Sequence, residues 1–382
     1  MRCYLTGRRL VWSIPPRDVL GQRAVDGYSA IRQVSSRDWW QPSDRWFLDT
    51  IRSWTVTQTV AAIVLADGRQ LAWQELGDPK GPAVFVFHGT PGSRLQVSFD
   101  EGAINAARVR FIAVDRPGFG CSGFQRARRL ADWASDIACL ADHLGIDVFS
   151  VVGISGGGPH AAACARFLAH RVHGAGIVSG VGPLAEPGAT KGMMFLNRLI
   201  TGLARKSEYL VYPLFALSIA IFRRWPEKAM RATSGQPQSS DFEIMSRPEV
   251  RAAYIDSYRG APPTSARAAA QDFALFTKDW GFRLEDITPR VDVWHGDDDR
   301  NVPISNGHFQ ATRIPGARMH DCPGQGHLIA LDHLEEILRT VSSATMEDEE
   351  AEHQRKSGRT AGDPRPPAAA PDLGTSAGPN SR

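Results

Sequence analysis

The pentapeptide Gly153-Ile154-Ser155-Gly156-Gly157 constrains this chain more than any other segment. It follows the apolar run Val148-Phe149-Ser150-Val151-Val152 and precedes Pro159-His160-Ala161-Ala162-Ala163, which opens a helix. A GxSxG motif at a strand-to-helix turn holds its serine on a sharp bend with the hydroxyl exposed. Flanking glycines let strand and helix approach where a Cβ would collide. The same five residues can also be an ordinary glycine-rich turn, and a chain with 36 glycines can match the pattern by chance. The rest of the chain has to decide.

Short apolar runs bounded by glycine recur around the motif: 84–87, 111–114, 149–153, 176–181 and 291–294. Such runs suit strands buried on both faces of a parallel sheet. Helical patterns lie between them over 95–107, 129–143, 157–170 and 327–343, and 61–65 with 70–73 reads as a hairpin joined at Ala66-Asp67-Gly68. The alternation predicts an α/β fold with a doubly wound, mostly parallel sheet. It lapses over 186–285, a helix-like stretch rich in Leu, Phe, Tyr and Met, and then resumes. That predicts a core over 55–185 and 286–345, interrupted by a helical cap over 186–285. Residues 1–54 are Arg- and Trp-rich without a period and are expected to be poorly ordered. Residues 346–382, acidic and then rich in Pro, Gly, Ala and Ser, are expected to be a disordered tail.

Composition narrows the function classes. A net charge of +3, of which residues 1–54 supply nine Arg and five Asp, is too small to suggest a nucleic-acid or membrane-surface role. Five scattered cysteines without CxxC spacing argue against a disulfide framework and a structural zinc site, and fit a reducing, cytoplasmic compartment. No run reaches the roughly 18 apolar residues of a membrane span. Tyr209 to Phe222 is uncharged but short and contains Pro213. The expected partner is a small-molecule substrate, with no nucleic acid and no integral membrane segment; the oligomeric state stays open.

A serine hydroxyl needs an adjacent base, and after a GxSxG elbow the acid and then the histidine follow in chain order. The loop Trp294-His295-Gly296-Asp297-Asp298-Asp299-Arg300-Asn301-Val302-Pro303 offers three aspartates. Asp299 is the choice because the chain turns at Val302-Pro303 toward its next helix, and Asp297 is the alternative. His327, behind the Gly-rich Cys322-Pro323-Gly324-Gln325-Gly326, is the expected base. His320 reads as part of the last strand and His160 as part of the helix after the elbow. The oxyanion donors are expected to be the backbone N–H of Gly156 and of Thr90, in the loop His88-Gly89-Thr90-Pro91-Gly92-Ser93. Chemistry of this kind needs no metal or organic cofactor.

Five segments, His88 to Arg94, Asp115-Arg116-Pro117-Gly118-Phe119-Gly120-Cys121-Ser122, Gly153 to Gly157, His295 to Asp299 and Gly326-His327, together with Asp279-Trp280-Gly281-Phe282, resemble the α/β-hydrolase superfamily over about residues 57–345. The resemblance implies an eight-stranded sheet, a Ser155/Asp299/His327 triad and a cap over the site. The chain departs from it at Arg290 and Asp292, which place charges in a strand expected to be buried. A serine at 155 argues against relatives with a carboxylate nucleophile. Hydrolysis of a small hydrophobic ester through an acyl-enzyme is the leading expectation. An aminopeptidase, a carbon–carbon bond hydrolase and a cofactor-free haloperoxidase share the triad, and a non-catalytic ligand-binding member is a further alternative. The apolar cap hints at a hydrophobic acyl or aromatic substrate, although the same side chains can simply pack on the core.

Overall fold

The glycine-bounded apolar runs become the centre of one sheet. The computed structural model describes residues 60–233 and 239–343, with the backbone of two further N-terminal strands. Among the described residues the strands are β1 (Arg2–Thr6), β2 (Arg9–Ser13), β3 (Ala61–Val64), β4 (Gln70–Gly77), β5 (Ala83–Phe87), β6 (Arg110–Val114), β7 (Phe149–Ile154), β8 (Val172–Val178), β9 (Arg290–Gly296) and β10 (Arg318–Cys322). Their spatial order is β1-β2-β3-β4-β6-β5-β7-β8-β9-β10. From β6 to β10 every neighbouring pair is parallel, whereas β4 runs antiparallel to both β3 and β6. The eight strands from β3 onward are the expected sheet. The β1–β2 hairpin adds to its edge through Arg9 opposite Ala61. The remaining residues of the arm expected to be poorly ordered, and the tail over 346–382, lie outside the described residues.

Side chains of a strand alternate between faces, and here the alternation divides the core. Phe85 and Phe87 of β5, Ile112 and Val114 of β6, and Val291 and Val293 of β9 enter one apolar cluster. Val84, Val86, Phe111, Ala113 and Trp294 enter the cluster on the other face. The helices that close the two faces are α1 (Glu101–Ala107), α2 (Leu130–Leu144) and α3 (Gly158–Phe167) in the first half of the chain. In α2, Leu130, Trp133, Ile137 and Leu140 fall at helical spacing and pack with α3 on the Phe85 side. On the Val84 side lie α1 and the last helix, whose Leu334, Ile337, Leu338 and Val341 are buried.

The insertion between β8 and β9 holds α4 (Phe195–Lys206), α5 (Glu208–Arg224), α6 (Pro226–Thr233), α7 (Ser240–Ser246), α8 (Pro248–Arg259) and α9 (Ser265–Phe276). It has its own apolar clusters, one built on Ile200, Val211, Phe215 and Ile219, another on Phe222, Met230, Ile244 and Val250. Beyond it come α10 (Ser305–Arg313) and α11, over residues 334–343.

Two local expectations are corrected. The strand placed at 176–181 is β8, four residues earlier at its start, because Val172 already pairs with Phe149. The helix placed at 327–343 begins only at 334; Ile329–Leu331 is a single 3-10 turn, and His327 lies in the loop before it. The charges in β9 are accounted for by pairing. The buried Asp292 carboxylate accepts from Arg290 Nε at 2.8 Å and from His320 Nε2 at 2.8 Å. Arg290 Nη2 donates to the Thr340 carbonyl at 2.9 Å. The His320 bond joins β9 to β10, where His320 lies opposite Trp294 and stacks on it, and the Arg290 bond to Thr340 ties β9 to α11.

Candidate active site

Strand β5 sits between β6 and β7, so the strand order reverses there, and in sheets of this kind the carboxyl ends at such a point are where ligands bind. Two loops meet there, the Ser155 turn after β7 and the His88–Ser93 segment after β5. Ser155 has φ +54°, a left-handed conformation that costs a non-glycine residue of order 1–3 kcal/mol. The turn is compact enough to need its glycines: a Cβ on Gly153 would lie 2.2 Å from the Gly157 carbonyl oxygen, and one on Gly157 would lie 2.3 Å from that of Phe87.

His327 Nε2 is 2.9 Å from Ser155 Oγ, and His327 Nδ1 is 2.7 Å from Asp299 Oδ2. Burial alone would push the Asp299 carboxyl up. The charge of His327 and hydrogen bonds from His295 and His327 outweigh burial and hold it at about 2. As a carboxylate it can only accept, so Nδ1–H donates to it and Nε2 is left to accept the serine proton. Burial also works against a charged His327; the Asp299 charge, their hydrogen bond and the Asp241 charge outweigh it and raise its pKa above the ordinary histidine value. Asp299 is fixed in turn, Oδ1 accepting from the Asn301 and Val302 N–H at 2.8 and 2.9 Å. Asp297 and Asp298 are exposed. Asp297 accepts from the Gly324 N–H at 2.7 Å and so ties down the loop leading to the histidine. His295 is buried; its Nε2–H donates to the Val302 carbonyl at 2.6 Å, with Asp299 Oδ2 at 3.3 Å from the same nitrogen.

The histidine loop is also held from the cap. Asp241 of α7 accepts from the His327 N–H with Oδ2 at 3.0 Å and from the Leu328 N–H with Oδ1 at 2.8 Å. Ser240 Oγ accepts from the Gly326 N–H at 2.8 Å. A Cβ on Gly326 would fall 2.6 Å from the Asp241 carboxylate, so the glycine permits the approach. Sequence reasoning missed Asp241, because an acidic residue in the first turn of a helix reads locally as a dipole partner.

Thr90 and Gly156 lie side by side. A Cβ on Gly156 would sit 3.2 Å from the Thr90 nitrogen and 2.3 Å from its Oγ1. Behind them is a buried charge cluster. Thr90 Oγ1 donates to Asp272 Oδ2 at 2.7 Å and accepts from Arg116 Nη2 at 2.7 Å. Arg116 also donates through Nη1 to Asp272 Oδ2 at 2.6 Å, through Nε to the His88 carbonyl at 3.0 Å and through Nη2 to that of Gly89 at 2.9 Å. Arg128 completes the cluster on Asp272 Oδ1. Burial opposes the Asp272 charge, but Arg116 and Arg128 hold its carboxyl well below the usual carboxylate range. His160 packs beside them, its Nδ1–H donating to the Gly156 carbonyl at 3.0 Å. Its pKa is driven down to about 3 by burial and by the Arg116 charge. Sequence reasoning singled out neither Arg116 nor Asp272. The signal for Asp272 was present: with Ala268, Ala269 and Phe276 it shares the buried face of α9, where a lone acid needs a partner. A small cleft between the Thr90 loop and the cap is lined by Pro91, Gly92, Ile219, Ser257, Tyr258 and Ala261.

The chain is similar to known proteins. A sequence profile described as "Alpha/beta hydrolase family" matches residues 83–340. A non-heme haloperoxidase from Rhodococcus erythropolis is 26% identical over 272 residues, covering 69% of this chain and 92% of that protein. A 2-hydroxy-6-oxononadienedioate/2-hydroxy-6-oxononatrienedioate hydrolase from Cupriavidus pinatubonensis is 28% identical over 272 residues, covering 68% and 84%. Among solved structures, an esterase from Thermogutta terrifontis superposes with a TM-score of 0.55 at 22% identity, over 75% of this chain and 98% of that one.

Proposed function

Since the chain belongs to the alpha/beta hydrolase family and is a hydrolase, we propose that it is a serine hydrolase acting on a small, hydrophobic ester or related carbonyl compound. The continuous hydrogen-bonded path from Ser155 Oγ through His327 to Asp299 carries this reading. His327 Nε2 takes the serine proton as Oγ attacks the carbonyl carbon. Asp299 keeps the imidazole in the required tautomer and stabilises its charged form. The oxygen that becomes negative faces the N–H groups of Thr90 and Gly156, and donors placed beforehand in a water-poor site are commonly the largest catalytic contribution. His327 then gives its proton to the leaving alcohol, and water cleaves the acyl-enzyme by the same exchange. The apolar side chains of the insertion, Phe215 and Ile219 among them, support a hydrophobic substrate.

Labelling with a fluorophosphonate probe and turnover of a nitrophenyl ester series test the reading together. Wild type is expected to label and to hydrolyse short apolar esters, and Ser155→Ala to do neither. Folded wild type that neither labels nor turns over any ester removes the proposal and favours a ligand-binding role. Hydrolysis that survives in Ser155→Ala removes the assigned nucleophile.

A further inference from the structure

Neither the triad nor its supports use the outer faces of α4 and α5. In α4, Ile200 and Ala204 are buried; in α5, Val211, Phe215 and Ile219 are, and all five enter one cluster. Both helices therefore turn their opposite sides away from it. On those sides a soluble helix is ordinarily polar. Here Phe195 and Leu199 on α4 and Leu210 and Leu217 on α5 are 79, 43, 49 and 60% exposed. The spacing is regular. Lys206 follows Leu199 by seven residues, and Leu210, Leu217 and Arg224 fall seven apart, so each apolar stripe ends in a cation. Contiguous exposed apolar surface of this kind marks a site of association.

Charge identifies the partner. Residues 191–232 contain eight Lys and Arg against two Glu, a local charge of +6 in a chain whose total is +3, and all eight cations are exposed. A second copy would bring the same cations to the interface, and residues 1–54 are themselves net basic. The acidic run 347–352 has the opposite sign but no large apolar side chain to lay against Phe195 or Leu217. We propose that the α4–α5 face of the cap docks on an anionic lipid bilayer surface. The apolar stripe enters the boundary between headgroups and acyl chains, as interfacial helices do. Lys206 and Arg224 extend their charged ends to the headgroups while their stems stay against the apolar surface. Nothing in this depends on the catalytic reading, since the face lies outside the triad.

Cosedimentation of the full chain with vesicles of phosphatidylcholine, alone or mixed with phosphatidylglycerol, tests the proposal. Binding is expected to the mixed vesicles and to fall with added salt. Neutralising Lys206 and Arg224 with Lys206→Gln and Arg224→Gln is expected to weaken it about fivefold for each cation. Leu199→Glu with Leu217→Glu is expected to weaken it about tenfold or more, with the thermal melt unchanged because both side chains are exposed. A chain that stays in the supernatant with both vesicle types overturns the proposal, as do variants that bind like wild type. So does a dimer that those glutamates dissolve and that ignores vesicles, which would make a second copy the occupant.

Discussion

Asp241→Asn isolates what the cap does for the proposed base. The wild-type carboxylate uses one oxygen for the His327 N–H and the other for the Leu328 N–H. Asparagine offers one carbonyl oxygen, so one of these half-buried donors loses its acceptor, at a cost of about 1–2 kcal/mol. If that cost falls on the alignment of His327 with Ser155, kcat/KM drops about tenfold, since each 1.36 kcal/mol is a factor of ten. The pH profile separates alignment from charge. A histidine acts as base only when neutral, and the Asp241 charge contributes to raising its pKa. Removing that charge therefore moves the acid limb of kcat/KM toward lower pH while the plateau falls. Asp241→Glu keeps the charge and is expected to leave the limb near its wild-type position. The assay is turnover of the best nitrophenyl ester across the acid range. A lowered plateau with an unmoved limb in Asp241→Asn would refute the electrostatic half of the reasoning, and an unchanged plateau would refute the positional half.

The other supports give separate expectations. Asp272→Ala leaves Arg116 and Arg128 buried without their carboxylate and is expected to cost about 3–5 kcal/mol in urea unfolding; a loss below about 1 kcal/mol contradicts the cluster's role. Gly156→Ala drives a methyl into Thr90 and, if the Thr90 and Gly156 N–H groups serve as proposed, is expected to lower kcat on the order of a hundredfold with little change in KM. Ser155→Gly removes the hydroxyl and relieves the left-handed strain, so activity is expected to vanish while the melting temperature rises by about 2–4 °C. The Asp299 carboxyl, at about 2 when folded against an ordinary 3.8, stabilises the fold by about 2 kcal/mol above its ordinary value. That contribution is lost as pH falls through about 2; thermal melts of wild type taken down this range are expected to show a step that Asp299→Asn lacks.

The sheet was legible because two-sided burial writes itself as uninterrupted apolar runs, and the elbow because strand, glycine and helix stand next to one another in the chain. Asp299 was expected from the turn that follows it, and its burial and its bond to His327 set it apart from the exposed Asp297 and Asp298. Asp241 could not be found in this way, and for Asp272 the chain shows only an acid on an apolar helix face, not what it binds. Their partners are 86 and 182 residues distant, at His327 and Thr90, and no local period connects such pairs. β8 was placed too late because its first residues, Val172-His173-Gly174, do not form an apolar run, although Val172 already pairs with Phe149. The total of +3 averages over the +6 of residues 191–232, the local charge on which the proposed lipid docking rests.

The buried clasp on Asp272 and the Asp241 bonds to the histidine loop bear on how such an insertion can evolve. An accessory module exchanged freely between relatives should meet its host at neutral surfaces. Here the host lends one loop to α9 and another to α7, and both loops carry groups proposed to do chemistry. Replacing or shortening the insertion would remove acceptors from the core's own reaction machinery, so these two helices are bound to the core's history. Substrate preference can drift most freely through α4 and α5, which supply no hydrogen-bond acceptor to either loop, whereas Ser257 of α8 is itself tied to Ser93 at 2.8 Å.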